Sequence, residues 1–401
     1  MKQSITNVRG ISCWGAHIGI KSNRRDLAII RSSVPASASA VFTQNLVTAE
    51  PIKLCRSHLD DGVLQAFVIN SGNANACTGE AGYKAAESML NCASDALQIA
   101  PENILISSTG IIGEPFPIDK VNEGIQRYTP KLSTRAMAGA LAANAILTTD
   151  TFAKEGFSSF SSGGTKVNLA GIAKGSGMIH PNMGTMLAYL LCDIDIAPAL
   201  LDKALRKAVD ASFNMITVDG DTSTNDTVAI MCNGLAGNTR IEKEDAAYEQ
   251  FYTELLKLCT HLAKLVVSDG EGATKMIEYH VEHAPSEADA RQLVRTISDS
   301  NLVKTAMFGQ DPNWGRIIAA AGRSGVVFDP EKIALSFGFD PSILIVEKGQ
   351  PVMHNRAALK KLMGESQLRI SLDLNMGKAE STGWGSDLSY DYVRINAEYT
   401  T

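Results

Sequence analysis

The sequence predicts an α/β (α+β) protein whose mixed sheets are covered by helices, and three observations carry that reading. Strand-patterned and helix-patterned segments alternate along the 401 residues, the order expected when helices cover central sheets. No low-complexity or polar linker interrupts the alternation, so both halves share one body. The last quarter is richer in strands than the rest.

The elements follow in order. GVLQAFVIN (62–70) is a buried strand running into the turn-prone SGNANACTGE. Residues 82–100 form a helix with Ala85, Met89, Cys92 and Leu97 near helical spacing. Asn103 to Ser107 is a short strand leading into SSTGIIG, and Ser133-Thr134-Arg135 opens an alanine-rich helix ending near Leu147. TKVNLAGIA (165–173) is a strand, and an apolar run from Met186 to Ile196 is another. A helix over 197–213, a strand over 226–232 and a long helix over 243–266 come next. Residues 273–283 alternate as a strand, and 285–300 form a helix with Pro285 near its first turn. KIALSFG, SILIVEKG, LRISLDL and SYDYVRINAEY (389–399) read as the closing strands.

Composition narrows the function. Hydrophobic residues make up 45 % and charged residues 20 %, ordinary for a globular enzyme. The net charge of −6 offers no basic footprint for nucleic acid. No apolar run approaches the roughly 20 residues of a membrane span, and the first twenty residues lack the apolar core of a secretory signal. The seven cysteines are dispersed, without CxxC spacing, which fits a reducing cytoplasm. A cytoplasmic enzyme without membrane or nucleic-acid partners is the expectation.

Several motifs fail on inspection. There is no GxSxG elbow, GxGxxG fingerprint or P-loop. In a strand, His280 and His283 of HVEH point to opposite faces, so no metal site is expected there. DGDTSTND (219–226) lacks the glycine and bidentate glutamate of a calcium loop and reads as a self-bonded turn. Other strings keep chemical content. SSTGIIG (107–113) can present backbone N–H groups and the Thr109 hydroxyl to an anion. TTDTFAK (148–154) groups three threonines with a carboxylate, and DGEGATK (269–275) sets Glu271 between glycines. DPNWGRI (311–317) marks a helix start. KGSGMIHPNMGTMLAYLLCD (174–193) puts Gly184-Thr185 at a loop-to-strand junction. A neutral threonine hydroxyl needs an adjacent base, and no histidine is an obvious partner. Breaking the Gly184–Thr185 bond would supply one, the α-amine of Thr185 itself.

Taken in order, SGNANACTG, SSTGIIG, TTDT, GIAKGSGMIHPNMGTML, SFNMITVDGDTSTNDT, DGEGATK, DPNWGRI and DLSYDYVRINAEYTT closely resemble the glutamate N-acetyltransferase / ornithine acetyltransferase family of arginine biosynthesis, from about Gly10 to Thr401. The resemblance implies self-cleavage between Gly184 and Thr185, giving an α chain (1–184) and a β chain (185–401) that stay associated as an α2β2 heterotetramer. It implies a layered α-β-β-α sandwich similar to that of the self-processing aminopeptidases, with an N-terminal nucleophile. Thr185 would be that nucleophile, Thr109 and Gly110 the oxyanion hole, and Thr148, Lys174, Thr185, Glu271, Asn396 and Thr401 the substrate contacts. Acetyl would pass from N2-acetylornithine to L-glutamate through an acetyl-threonine, with no metal or resident cofactor. Bifunctional members also take acetyl-CoA as co-substrate, and that activity is expected here. Lys174 suits an α-carboxylate and Glu271 the ornithine ammonium. The rival expectations are a hydrolase of the aminopeptidase type, with water as acceptor, and a non-enzymatic binding protein on the same fold. Four positions depart from the family pattern: Gly184 stands where alanine is usual, Thr400 where arginine is common, Ala153 for proline and Ser386 for cysteine.

Overall fold

The computed structural model describes residues 3–180 and 186–398. Gly184, Thr185 and Thr401 therefore lie outside the described residues. The first sheet contains β1 (Ile11–Ala16), β2 (Leu27–Phe42), β3 (Val63–Asn73), β4 (Ile104–Ile111), β5 (Lys154–Ser162), β6 (Thr165–Lys174), β7 (Leu187–Cys192) and β9 (Thr227–Cys232). Its order is β4-β3-β2-β9-β7-β6-β5, with β1 also paired to β2. The second contains β8 (Ile216–Thr217), β10 (Met276–Ala284), β11 (Ala334–Phe337), β12 (Ile343–Glu347), β13 (Gln350–Pro351), β14 (Gln367–Asp373) and β15 (Ala379–Ser386), in the order β13-β12-β11-β14-β10-β15-β8. Both sheets are mixed: β3 runs parallel to β4, β7 to β9 and β10 to β14, whereas β6 is antiparallel to β7.

The helices are α1 (Glu50–Cys55), α2 (Gly79–Leu97), α3 (Ile118–Tyr128), α4 (Ala136–Ala145), α5 (Pro198–Asp210), α6 (Ala246–Ser268), α7 (Glu287–Ser298), α8 (Asn301–Phe308), α9 (Trp314–Gly322), α10 (Arg356–Met363) and α11 (Tyr390–Glu398). Strand β7 shows how the layers form. Every residue of LAYLLC is buried, as a central strand covered on both faces requires. Leu187, Tyr189 and Leu191 face the core shared with α2, α3 and α4. Ala188, Leu190 and Cys192 face a second core that continues through α5 and α6 to β10, β15 and α7. Helices thus cover the outer faces of two mixed sheets, as expected, and the α5–α6 pair also fills space between them.

Caps fix the helix starts. Asp245 accepts from the Ala247 and Tyr248 amides at the head of α6, Ser286 from Asp289 N at α7, and Asn313 from Arg316 N at α9. Each satisfies N–H groups that the first turn leaves free.

Two sequence readings need correction. Residues 389–399 do not make a strand: 390–398 are helix α11. Ser389 Oγ accepts from Asp391 N, and Asp391 sits in the first turn, both helix-start signals. Helix α11 buries no residue, so no apolar stripe marks it in the sequence. Second, the strand that begins at residue 104 continues through SSTGI to Ile111, so Thr109 and Gly110 lie on a strand rather than in a turn after it. Residues 3–61, for which the patterning gave no elements, supply β1, β2, the loop between them and α1. The histidines of HVEH serve separate partners: His280 Nδ1 lies 2.9 Å from Thr382 Oγ1, and His283 Nδ1 lies 2.8 Å from Asp373. Among the described residues no helix is long and apolar enough to cross a membrane.

Candidate active site

The ends of β3 and β4, the loop after α4, the loop after β6 and the turn after α6 converge on one cleft of about 770 Å³. Thr109, Gly110, Thr148, Lys174, Glu271 and Asn396 all line it. Six positions named from the sequence, spread over almost 290 residues of chain, are thus brought together.

Thr109 and Gly110 sit where the β3–β4 pairing is irregular: Gly72 faces Gly110, and Asn73 faces both Thr109 and Ile111. Such bulges re-aim backbone groups beside functional sites. Gly110 has φ +133°, and a Cβ there would lie 2.4 Å from the Gly72 carbonyl carbon. Only glycine fits. Asn225 pins the bulge by donating to Ala74 O at 2.7 Å and Ser108 O at 2.8 Å.

Thr148, Lys174 and Glu271 are held by a buried ionic knot. Lys154 Nζ lies 2.6 Å from Asp150 Oδ1 and 2.5 Å from Asp269 Oδ2, with all three side chains buried. Asp150 also accepts from Thr148 N at 2.9 Å and Gly175 N at 2.8 Å, and Asp269 accepts from Thr151 N at 3.0 Å. Burial works to raise the Asp150 carboxyl, but the Lys174 and Lys154 ammoniums and these hydrogen bonds overcome it and hold the group at about 2. The Lys174 ammonium is pushed down, first by burial and then by Lys154, against the pull of Asp150, Asp226 and Glu271.

Glu271 enters through two further contacts. Its amide donates to Ser176 O at 2.9 Å, and its carboxylate occupies the space a side chain at Gly177 would need. Asn396 Nδ2 donates to Glu271 Oε2 at 2.9 Å, so α11 closes this side of the cleft. Gly272, at φ +68°, makes that approach possible: a Cβ would fall 2.4 Å from Tyr392 N. Gly272→Ala is expected to cost about 1–2 kcal/mol from the left-handed backbone alone. It should also raise KM by moving Asn396 from Glu271. Thermal unfolding and steady-state kinetics on one preparation check both.

The segment read as a self-bonded turn, 219–226, does more than bond itself. Asp219 accepts from Met178 N at 2.6 Å and Ile179 N at 2.9 Å. Asp226 Oδ1 accepts from Met186 N at 2.8 Å, one residue beyond Thr185. The two carboxylates grip the chain before and after the GlyThr junction. Burial pushes Asp226 well above the usual carboxylate range, against the pull of the Met186 N–H and Lys174. Sequence reasoning also missed Lys21, Arg24 and Asp269, which line the same cleft.

The model of the ArgJ family matches residues 12–401. The arginine biosynthesis bifunctional protein ArgJ of Symbiobacterium thermophilum is 48 % identical over 400 residues, covering 99 % of this chain and 98 % of that protein. Its namesake from Caldanaerobacter subterraneus is 45 % identical over 394 residues, covering 98 % and 97 %. The crystal structure of the Bacillus halodurans arginine biosynthesis bifunctional protein argJ superposes with a TM-score of 0.52 at 41 % identity, over 54 % of this chain and 100 % of that one. With a family match and relatives that span it nearly end to end, this chain belongs to the ArgJ family.

Proposed function

We propose that the protein transfers acetyl from N2-acetylornithine to L-glutamate through an acetyl-threonine on Thr185, after self-cleavage between Gly184 and Thr185. The observation that carries the reading is the single cleft lined by Thr109, Gly110, Thr148, Lys174, Glu271 and Asn396. Its walls offer oxyanion donors, a buried ammonium and a carboxylate, the set a zwitterionic amino acid and a tetrahedral intermediate require.

In this mechanism the α-amine of Thr185 takes the hydroxyl proton as Oγ attacks the acetyl carbonyl. Thr109 and the Gly110 N–H stabilise the oxyanion, and the Thr185 ammonium gives its proton to the α-nitrogen of ornithine as the C–N bond breaks. The neutral amine of glutamate then attacks the ester, its proton passing through the Thr185 amine to the freed hydroxyl. Lys174 receives an α-carboxylate, and Glu271, steadied by Asn396, the ornithine ammonium. Thr401 completes the substrate contacts. The bifunctional names of the relatives support acetyl-CoA as a second donor, which would make the enzyme an N-acetylglutamate synthase as well. We place this activity in the cytoplasm and expect an α2β2 assembly.

The topology supports cleavage without loss of the fold. Lys174 pairs with Leu187 across antiparallel β6 and β7, so a cut at 184–185 opens the connection between neighbouring strands and spares their ladder. The Bacillus halodurans chain, matched over its whole length, covers 54 % of this one, and residues 185–401 are the same share.

Two measurements test the proposal. Intact mass under denaturing conditions should give two fragments meeting at Gly184–Thr185. Labelled ornithine should exchange into N2-acetylornithine without glutamate present, as a ping-pong route demands. A single full-length species with no exchange, or release of acetate to water in place of transfer, would refute it.

A further inference from the structure

A ping-pong transferase must seat two amino acids in one cleft. On the reading above, one has a cationic tail and the other an anionic tail. Glu271 accounts for the first. The structure offers a separate group for the second.

The loop between β1 and β2 brings Lys21 and Arg24 into the lining of the cleft that Glu271 also lines. The loop is preorganised: buried Asp26 accepts from the amides of Ile18 (2.6 Å), Ile20 (2.8 Å) and Lys21 (2.9 Å). It is anchored to β3 by Ser71 N donating to Asp26 O. The Lys21 stem then crosses the face of Gly72, where a Cβ would come within 2.9 Å of Lys21 Cγ. Gly72 is the residue paired with Gly110. Lys21 thereby passes directly beside the oxyanion-hole pair.

The local charge is not balanced. Lys21, Arg24 and Lys174 lie close enough to repel one another. The two carboxylates nearest Lys21 are committed: Asp26 to backbone amides, Asp150 to Lys154 and backbone amides. Lys21 Nζ donates to Leu147 O at 2.8 Å, and Arg24 Nη1 to Thr148 O and Asp150 O at 3.2 Å. Among the described residues, the remaining N–H groups of both heads have no partner and form no ion pair. Burial, aided by Arg24 and Lys174, pushes the Lys21 ammonium down to about 8. Like charges held together beside a cleft attract an anion, and a carboxylate suits the planar donors of arginine.

We infer that Lys21 and Arg24 bind the side-chain carboxylate of the acceptor amino acid, and so decide that glutamate rather than a neutral or cationic amino acid takes the acetyl group. This rests on the transfer reading above. Donor and acceptor share the α-amino-acid position and diverge at the tail, one toward Glu271 and the other toward Lys21 and Arg24.

The test compares acceptors on the self-processed enzyme with N2-acetylornithine as donor. kcat/KM for glutamate is measured beside the rate of exchange into labelled ornithine, in the parent protein, Lys21→Met and Arg24→Gln. Each variant should lower the glutamate-to-ornithine ratio about 10- to 100-fold, the worth of a charge-assisted hydrogen bond, with the loss in KM more than kcat. Parallel loss with both acceptors would mean a structural role and overturn the inference. An effect confined to acetyl-CoA as donor, with the glutamate KM unchanged, would assign the anion to the thioester substrate and overturn it too. Absence of ornithine exchange in the parent protein would overturn the transfer reading itself, and this inference with it.

Discussion

Thr185→Ala should yield one full-length 42.8 kDa species under denaturing conditions and no transfer. On the proposed mechanism, losing the hydroxyl removes the nucleophile of cleavage and transfer alike. Without cleavage the nitrogen of residue 185 also stays an amide, which cannot act as a base. Loss of a nucleophile that works as a unit with its base costs on the order of 10⁴-fold or more. The variant should still fold, because the anchors around the junction are other residues: Asp219 on Met178 and Ile179, and Asp226 on Met186. Unchanged thermal unfolding beside zero activity separates a chemical loss from a structural one. A Thr185→Ala protein that cuts itself, or that transfers acetyl, would sink the mechanism.

The second large effect concerns stability. Lys154→Met should cost about 3–5 kcal/mol, because it leaves Asp150 and Asp269 buried and facing each other without their shared cation. The knot joins the segments bearing Thr148, Lys174 and Glu271, so turnover should fall as well. Replacing all three charges together, with Asp150→Asn, Lys154→Met and Asp269→Asn, should recover part of the stability: the facing carboxylates are then gone, while buried Lys174 keeps only Asp226 and Glu271 as counter-charges. Urea unfolding of both variants in the uncut Thr185→Ala background decides, and a cost below about 1 kcal/mol for Lys154→Met would show that the knot does not bear on stability. The knot also sets an acid limit. Asp150 is held at about 2 in the fold against an ordinary 3.8. Its contribution is present above the unfolded value and disappears as pH falls from about 4 through 2.

Some of the site was legible because its residues announce local geometry. SSTGIIG, KGSG and DGEG contain glycines whose backbone demands are visible in the string, and Gly110, Gly177 and Gly272 meet those demands. The order of the strings identified the family where single strings did not. The buried knot was not legible: Lys154 and Asp269 are 115 residues apart, and nothing local marks either as buried. The same holds for Lys21 and Arg24, which look like solvated charges in KSNRRD until Asp26 folds the loop against β3. Helix α11 was misread for a related reason. It buries no apolar face that helical spacing could reveal, and its start rests on Ser389 and on the room beside Gly272.

The position of β7 carries a last consequence. It lies between β6 and β9 in the middle of the first sheet, buried on both faces. Before the cut, β7 is tethered to β6 by a short connection, and its insertion is a local event within one chain. If the chain is cut at 184–185 as proposed, denaturation separates two polypeptides. Re-forming the sheet then requires one to thread a central strand into the other, at a rate set by their concentration. The mature enzyme would persist through slow unfolding rather than reversible equilibrium. Folding would be an event each molecule completes once, as a precursor, and recovery from denaturant should distinguish the uncut Thr185→Ala protein from its processed parent.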